Sequence, residues 1–177
     1  SPLIGWTADA IPVHLLGPDA DLGTDAAWAR TCGFQGRAAQ ILIVPDSKGG
    51  VARVLFGTGR PFSPTVLRSL STQLPTGTYR LAGIDDQPVD VMEQAALAFA
   101  TGTYLFDRYR SRPDRPRPLL AVAESVDLEA VTAIHHANTL ARQMIDTPAA
   151  DMGPLQIETL AREIAENAGA EISVITG

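Results

Sequence analysis

The residues of this chain whose types could carry chemistry are three histidines, one cysteine, one lysine, a run of carboxylates, an arginine cluster and a glycine turn. A nucleophilic hydrolase needs Ser or Cys beside a His base and an orienting group. The chain has no G-x-S-x-G elbow, and Cys32, set between Thr31 and Gly33, has no evident base; it is expected to pack rather than react. A single cysteine also excludes an internal disulfide and a multi-cysteine zinc site. His14 lies inside the apolar run IPVHLL. His135 and His136 are adjacent in a helical pattern, so they point in different directions, unlike the i, i+4 pair that grips one metal; one is expected half-buried and one solvated. Gly57 and Gly59 in FGTGRPFS follow a strand pattern and could cradle phosphate through backbone N–H groups. The third glycine of a dinucleotide fingerprint is missing, which leaves a tight turn as the simpler reading.

The remaining charged groups have structural explanations. Asp85, Asp86, Asp90 and Glu93 surround a helix start, where unpaired N–H groups stabilise carboxylates. Arg108, Arg110, Arg112, Arg115 and Arg117 form one basic cluster that could meet phosphate or an acidic partner face, and three interspersed prolines make the segment a surface connection. Lys48 sits in a turn, without the burial or neighbouring cation that would lower its pKa for catalysis.

The elements that must position these groups alternate between strands and helices. Short apolar runs predict strands over 11–16, 40–45, 51–56, 78–82 and 119–123, and the DSKGG turn joins the second and third as a hairpin. A short helix is expected around Trp28, and another over 63–74, with Ser63 at the N-cap, Pro64 just inside and Val66, Leu67, Leu70 and Leu74 on one face. A longer helix opens at Pro88 and carries Val89, Met92, Ala96, Phe99, Thr103 and Phe106 to an end near Asp107. From Asp127 a helix runs to about Ile145, with Leu128, Val131, Ile134, Ala137, Ala141 and Met144 on its stripe. Pro154 starts the last helix, whose face is Leu160, Ala161, Ile164 and Ala168 and whose C-cap is Gly169; EISVIT, 171–176, reads as a strand. This alternation is that of an α/β fold.

Charge is distributed unevenly. Residues 1–126 hold 12 acidic and 12 basic residues, whereas 127–177 hold 8 acidic and 2 basic, so the whole net charge of −6 falls in the last part. A boundary is expected there, and the acidic second part argues against a nucleic-acid footprint. No apolar run reaches the ~20 residues of a membrane span, SPLIGWTADA lacks the basic start of a signal peptide, and the cysteine usage fits a reducing, cytoplasmic setting.

Two stretches carry more than local information. NTLARQMIDTPAADMGPLQIETLARE, 138–163, resembles the entry to the catalytic domain in the leucyl aminopeptidase (cytosol aminopeptidase) family, where a linker helix runs into an N-T-P-A-N-D-M-x-P-like loop. EQAALAFATGTYLFDRYRS, 93–111, is similar to the late N-domain helix of the same family, and GFQGRAAQILIVP followed by VLFGTGR keeps its order and spacing. Asp146 and Ala150 depart from the family, which commonly has Asn at both places.

The resemblance implies a macro-like N-terminal α/β domain with a mixed sheet flanked by helices over 1–126, a linker helix over 127–146, and an incomplete start of an α/β/α metallopeptidase catalytic domain over 147–177. It further implies a metallo-exopeptidase that removes N-terminal residues from peptides with two divalent metal ions, zinc or manganese, in a homo-oligomer, a hexamer by family resemblance. The family's ligands lie in motifs resembling G-K-G-x-x-F-D-S-G-G and N-T-D-A-E-G-R-L, and neither occurs here. The expectation is therefore that no catalytic, cofactor-binding or metal-binding residue lies in this chain, that the chain alone is inactive, and that neither nucleic acid nor membrane is a partner. The alternative is a macro-like module for a nucleotide of the ADP-ribose type, using the GTG turn and the arginine cluster, or an assembly domain without a ligand.

Overall fold

The computed structural model describes residues 1–110 and 116–175. Six strands form one sheet: β1 (Leu3–Ile4), β2 (Ile11–Leu16), β3 (Ile41–Pro45), β4 (Val51–Gly57), β5 (Thr78–Ala82) and β6 (Leu119–Ala121), in the order β1-β6-β5-β2-β4-β3. All neighbours are parallel except the antiparallel β3–β4 hairpin, so the sheet is mixed, as the sequence predicts. Asp46 organises the hairpin turn by accepting the N–H groups of Lys48 at 2.7 Å and Gly50 at 2.8 Å. The two-residue β1 escapes sequence reasoning because it is too short to show alternation.

A largely parallel sheet must be covered on both faces. Side chains alternate, so Leu3, Val13, Val54, Phe56, Tyr79, Leu81 and Leu120 share one face and are buried there with Leu67, Leu70, Met92, Ala96 and Phe99. These come from α3 (Val89–Gly102), the short helix α2 (Leu70–Gln73) and a 3₁₀ turn at Pro64–Arg68. On the opposite face, α1 (Ala26–Thr31) buries Ala29 against Leu42, Val44 and Leu55.

Several expected elements end differently. The single helix over 63–74 is a 3₁₀ turn followed by one α turn; Ser63 precedes Pro64 as expected, yet its hydroxyl pairs with Thr65 at 2.8 Å and caps no backbone N–H. α3 stops at Gly102, not near Asp107. A Cβ on Gly102 would lie 2.0 Å from the Arg68 carbonyl oxygen, so the helix end abuts the 3₁₀ turn, and Thr103 closes it by donating its hydroxyl to Ala100 O at 2.7 Å. β6 is two residues shorter than expected.

The chain divides into two compact units, Ser1–Asn138 and Thr139–Gly177, with the division inside α4 (Leu128–Asp146). Asp127 caps α4, accepting the Ala130 N–H at 2.9 Å. Ile134 and Ala137 are exposed, in contrast to the predicted stripe; the buried positions are Val131 and His135, four apart, with Leu128 partly buried one turn earlier. In the second unit α5 (Pro154–Ala168) ends at Gly169 with φ 62°, the left-handed cap expected there. Its most buried position is Ala165, while Ile164 is half exposed and Ala168 exposed, so the predicted face is rotated by about one residue. Residues 171–175 form no strand, and Ile172, Val174 and Ile175 are exposed. A strand exists only by pairing, and no described strand pairs with this segment.

Gly102 yields a test in which two effects oppose. Helix propensity alone would make Gly102→Ala stabilising by about 1 kcal/mol, but the new methyl group must displace a backbone carbonyl. The clash should win, lowering stability by ~1–3 kcal/mol in chemical denaturation; a gain in stability would contradict the close packing.

Candidate functional site

The carboxyl ends of parallel strands are where open α/β sheets bind ligands, and here three backbone segments meet at the ends of β2 and β4. A Cβ on Gly36 would lie 2.4 Å from Gly17 O, one on Gly57 2.0 Å from Arg37 O, and one on Gly59 2.9 Å from the Ala38 Cβ. Glycine is required for backbones to approach this closely. Their hydrogen bonds are spent on one another: Gly57 N–H donates to Gln40 O at 2.7 Å, Thr58 N–H to Leu16 O at 2.9 Å and Gly59 N–H to Gly36 O at 3.0 Å. Gln40 ties the middle segment by accepting the Gln35 N–H at 2.8 Å and donating to Gly33 O at 2.7 Å. A shallow cleft of about 440 Å³ borders the junction, lined by Pro18, Leu22, Phe34, Gln35 and Arg37 among others. The GTG turn therefore has no free N–H cradle to offer a phosphate, and its glycines serve packing.

A second polar group lies on the sheet face that α1 covers. Asp25, at the end of a 3₁₀ turn leading into α1, is buried and takes both Nε (2.7 Å) and Nη2 of Arg53 from β4. This fork holds the Asp25 carboxyl below the usual carboxylate range and raises the Arg53 guanidinium. His14 of β2 is partly buried; desolvation, then the Arg53 charge, push its pKa down, with Asp25 opposing and Arg80 adding to the fall. The Arg80 guanidinium stands 5.4 Å from the Trp6 ring centre. Asp25, Arg53, Arg80 and Trp6 were not legible as a group. Alternation in VARVLF puts Arg53 on the Leu55 face, but nothing in the sequence indicates that Asp25, 28 residues earlier, meets it.

The other candidates stay apart. Cys32 is exposed, contrary to the expected packing. Gly33, at φ 69°, closes a Schellman motif in which the Phe34 N–H donates to Ala29 O at 2.8 Å and the Gly33 N–H to Arg30 O at 3.2 Å, turning Phe34 inward in place of Cys32. His135 is buried and His136 exposed. Asp85, Asp86, Asp90 and Lys48 are exposed and Glu93 is partly so. Of the arginine cluster, Arg117 donates to Thr103 O at 3.0 Å and Arg108 lies over Tyr109, whereas Arg112 and Arg115 lie outside the described residues. Among the described residues no three His, Cys, Asp or Glu side chains converge as a metal site would need.

Comparison with known proteins places this fold. The family model described as the N-terminal domain of M17 aminopeptidases matches residues 2–121, more than half of the chain, and the chain belongs to that family. A probable cytosol aminopeptidase of Wolinella succinogenes is 24% identical over 159 residues, covering 80% of this chain and 33% of that protein. The crystal structure of cytosol aminopeptidase from Coxiella burnetii superposes with a TM-score of 0.87 at 29% identity, over 99% of this chain and 40% of that one. The bottromycin maturation enzyme BotP, in complex with Mn, shares the fold, with a TM-score of 0.78 at 23% identity over 97% of this chain and 39% of its own. The chain thus spans between a third and two-fifths of the length of these relatives. Among the described residues no helix is long and apolar enough to cross a membrane.

The Asp25–Arg53 pair makes a pH-dependent contribution to stability. Because the folded pKa of Asp25 is depressed, the contribution is present above its ordinary value of 3.8 and lost as pH falls through the folded value. Asp25→Asn should cost ~1–3 kcal/mol at pH 7, since it leaves Arg53 without its carboxylate, and the deficit should shrink below about pH 4. Urea titrations at the two pH values measure it; a pH-independent difference would contradict the ion pair.

Proposed function

We propose that this chain is the N-terminal part of an aminopeptidase that removes N-terminal residues from peptides in the cytoplasm. The family match over residues 2–121 carries the proposal, and the likeness to the Coxiella burnetii enzyme along nearly the whole chain supports it. On this reading 1–126 is the macro-like domain, 127–146 the linker helix and 147–177 the first part of the catalytic domain. The exposed Leu155, Ile157 and Ile164 of α5 and Ile172, Val174 and Ile175 after it are apolar surface of the kind a larger sheet covers.

The chemistry is assigned to two divalent ions, zinc or manganese, held by residues outside this chain and supplying Lewis-acid and water-activating chemistry. BotP, similar in fold, is described in complex with Mn. Assembly as a homo-oligomer, a hexamer by family resemblance, belongs to the same proposal, and nucleic acid and membrane are outside it. The nucleotide-module alternative is weaker, because the N–H groups it would need are engaged within the protein.

The test is activity. The purified 177-residue chain with excess Mn²⁺ or Zn²⁺ should release no leucine from leucine amide, whereas a form of the length of the relatives should do so in a metal-dependent manner. Metal-dependent turnover by the 177-residue chain alone would overturn the assignment of the metal ligands outside it.

A further inference from the structure

Pro12 pairs with Arg80 on one side, and the β2–β4 register continues one step back from Val13–Val54 to set Pro12 beside Arg53 on the other. Two guanidinium-bearing positions thus stand level across three strands, about 10 Å apart at ordinary strand spacing. His14 lies one side-chain step further along the same face, between Leu55 and Ala82. On the Arg53 side the charge is neutralised by the fork onto Asp25. On the Arg80 side it is not: among the described residues no carboxylate reaches Arg80, and its buried Nε–H has no acceptor. A buried donor without an acceptor is uncommon in folded proteins because it forfeits its hydration, so it calls for a partner. The connection from Gly5 to Ala10, running from β1 to β2, sets Trp6 beside Arg80, while α1 covers β3 and β4. The strip of β2 between them leaves Pro12 and His14 partly exposed.

We infer that Arg80, His14 and Trp6 form a binding site for a small soluble carboxylate, received on the partly exposed strip of β2 at Pro12. A planar carboxylate matches the guanidinium edge. Trp6 provides an apolar wall for the body of the acid, and His14 a nitrogen at its second oxygen. The groups facing His14 are Asp25 before α1, Arg53 on β4 and Arg80 on β5, and an anion bound among them must raise the histidine's pKa.

The experiment follows the imidazole resonances of the 177-residue chain by NMR during pH titrations in acetate and in chloride at equal ionic strength, with His14→Gln used for assignment. Acetate should raise the His14 midpoint saturably, by about half a pH unit, with a Kd on the order of 10 mM, and leave His135 and His136 unmoved. Arg80→Met, which keeps the aliphatic stem beside Trp6, should abolish the acetate response while the melting transition persists. Arg80→Lys, which keeps the charge and loses the fork, should retain a response weakened about tenfold. An equal response to chloride, a response that survives Arg80→Met, or none to acetate would overturn the inference.

Discussion

Contact between backbones at Gly17, Gly36, Gly57 and Gly59 is the constraint on which the first unit depends. Wherever a side chain would stand at Gly36 or Gly57 there is already a carbonyl or a neighbouring backbone atom, at 2.4 and 2.0 Å respectively. This closeness lets the loop after α1 pass beneath the end of β4, which sets the start of β3 and hence the hairpin register Ile41–Phe56 through Pro45–Val51. The N–H groups of Gly57, Thr58 and Gly59 are satisfied within the same junction, as buried backbone must be. An architecture that could present a glycine turn to a ligand uses it to fasten three segments together.

Sheet coverage follows from that arrangement. With β2 and β4 fixed side by side, Val13, Val54 and Phe56 are fully buried under α3 and its neighbours, and on the other face Leu55 lies beneath α1. The polar residues His14, Arg53 and Arg80 fall where alternation sends them, onto the face that α1 covers only over β3 and β4. Asp25 neutralises one of the two guanidinium groups, and the strip over β2 keeps a net positive charge within a stretch, 1–126, whose sequence balances acid and base.

Legibility in the sequence tracked the kind of interaction involved. β2, β5 and the hairpin could be read because apolar runs bounded by turn formers encode local burial, and α5 ended at Gly169 because only a left-handed residue closes it. The end of α3 could not: Thr103 and Phe106 continue its apolar pattern, and the stop at Gly102 comes from a carbonyl 34 residues away in sequence, at Arg68. Cys32 failed similarly, because the left-handed Gly33 decides which side chain enters the core. The burial of His135 in place of Ile134 depends on which way α4 is rotated, and the apolar pattern alone pointed to Ile134 because it gave no weight to a buried polar side chain. The family could be read from motifs at the end of α3 and along α4 into α5, because those motifs join elements; the Gly102 close approach now gives the small-residue run of the first one a physical reason.

The central claim is that the glycine junction is spent on structure, and the amide resonances of Gly36, Gly57, Thr58 and Gly59 report on it directly. In a titration of the 177-residue chain with ADP-ribose, the account predicts that these four amides keep their positions. Saturable shifts in them would mean that the junction opens to hold phosphate. Accompanied by stabilisation approaching ~2.7 kcal/mol at 100 times the dissociation constant, they would contradict the account.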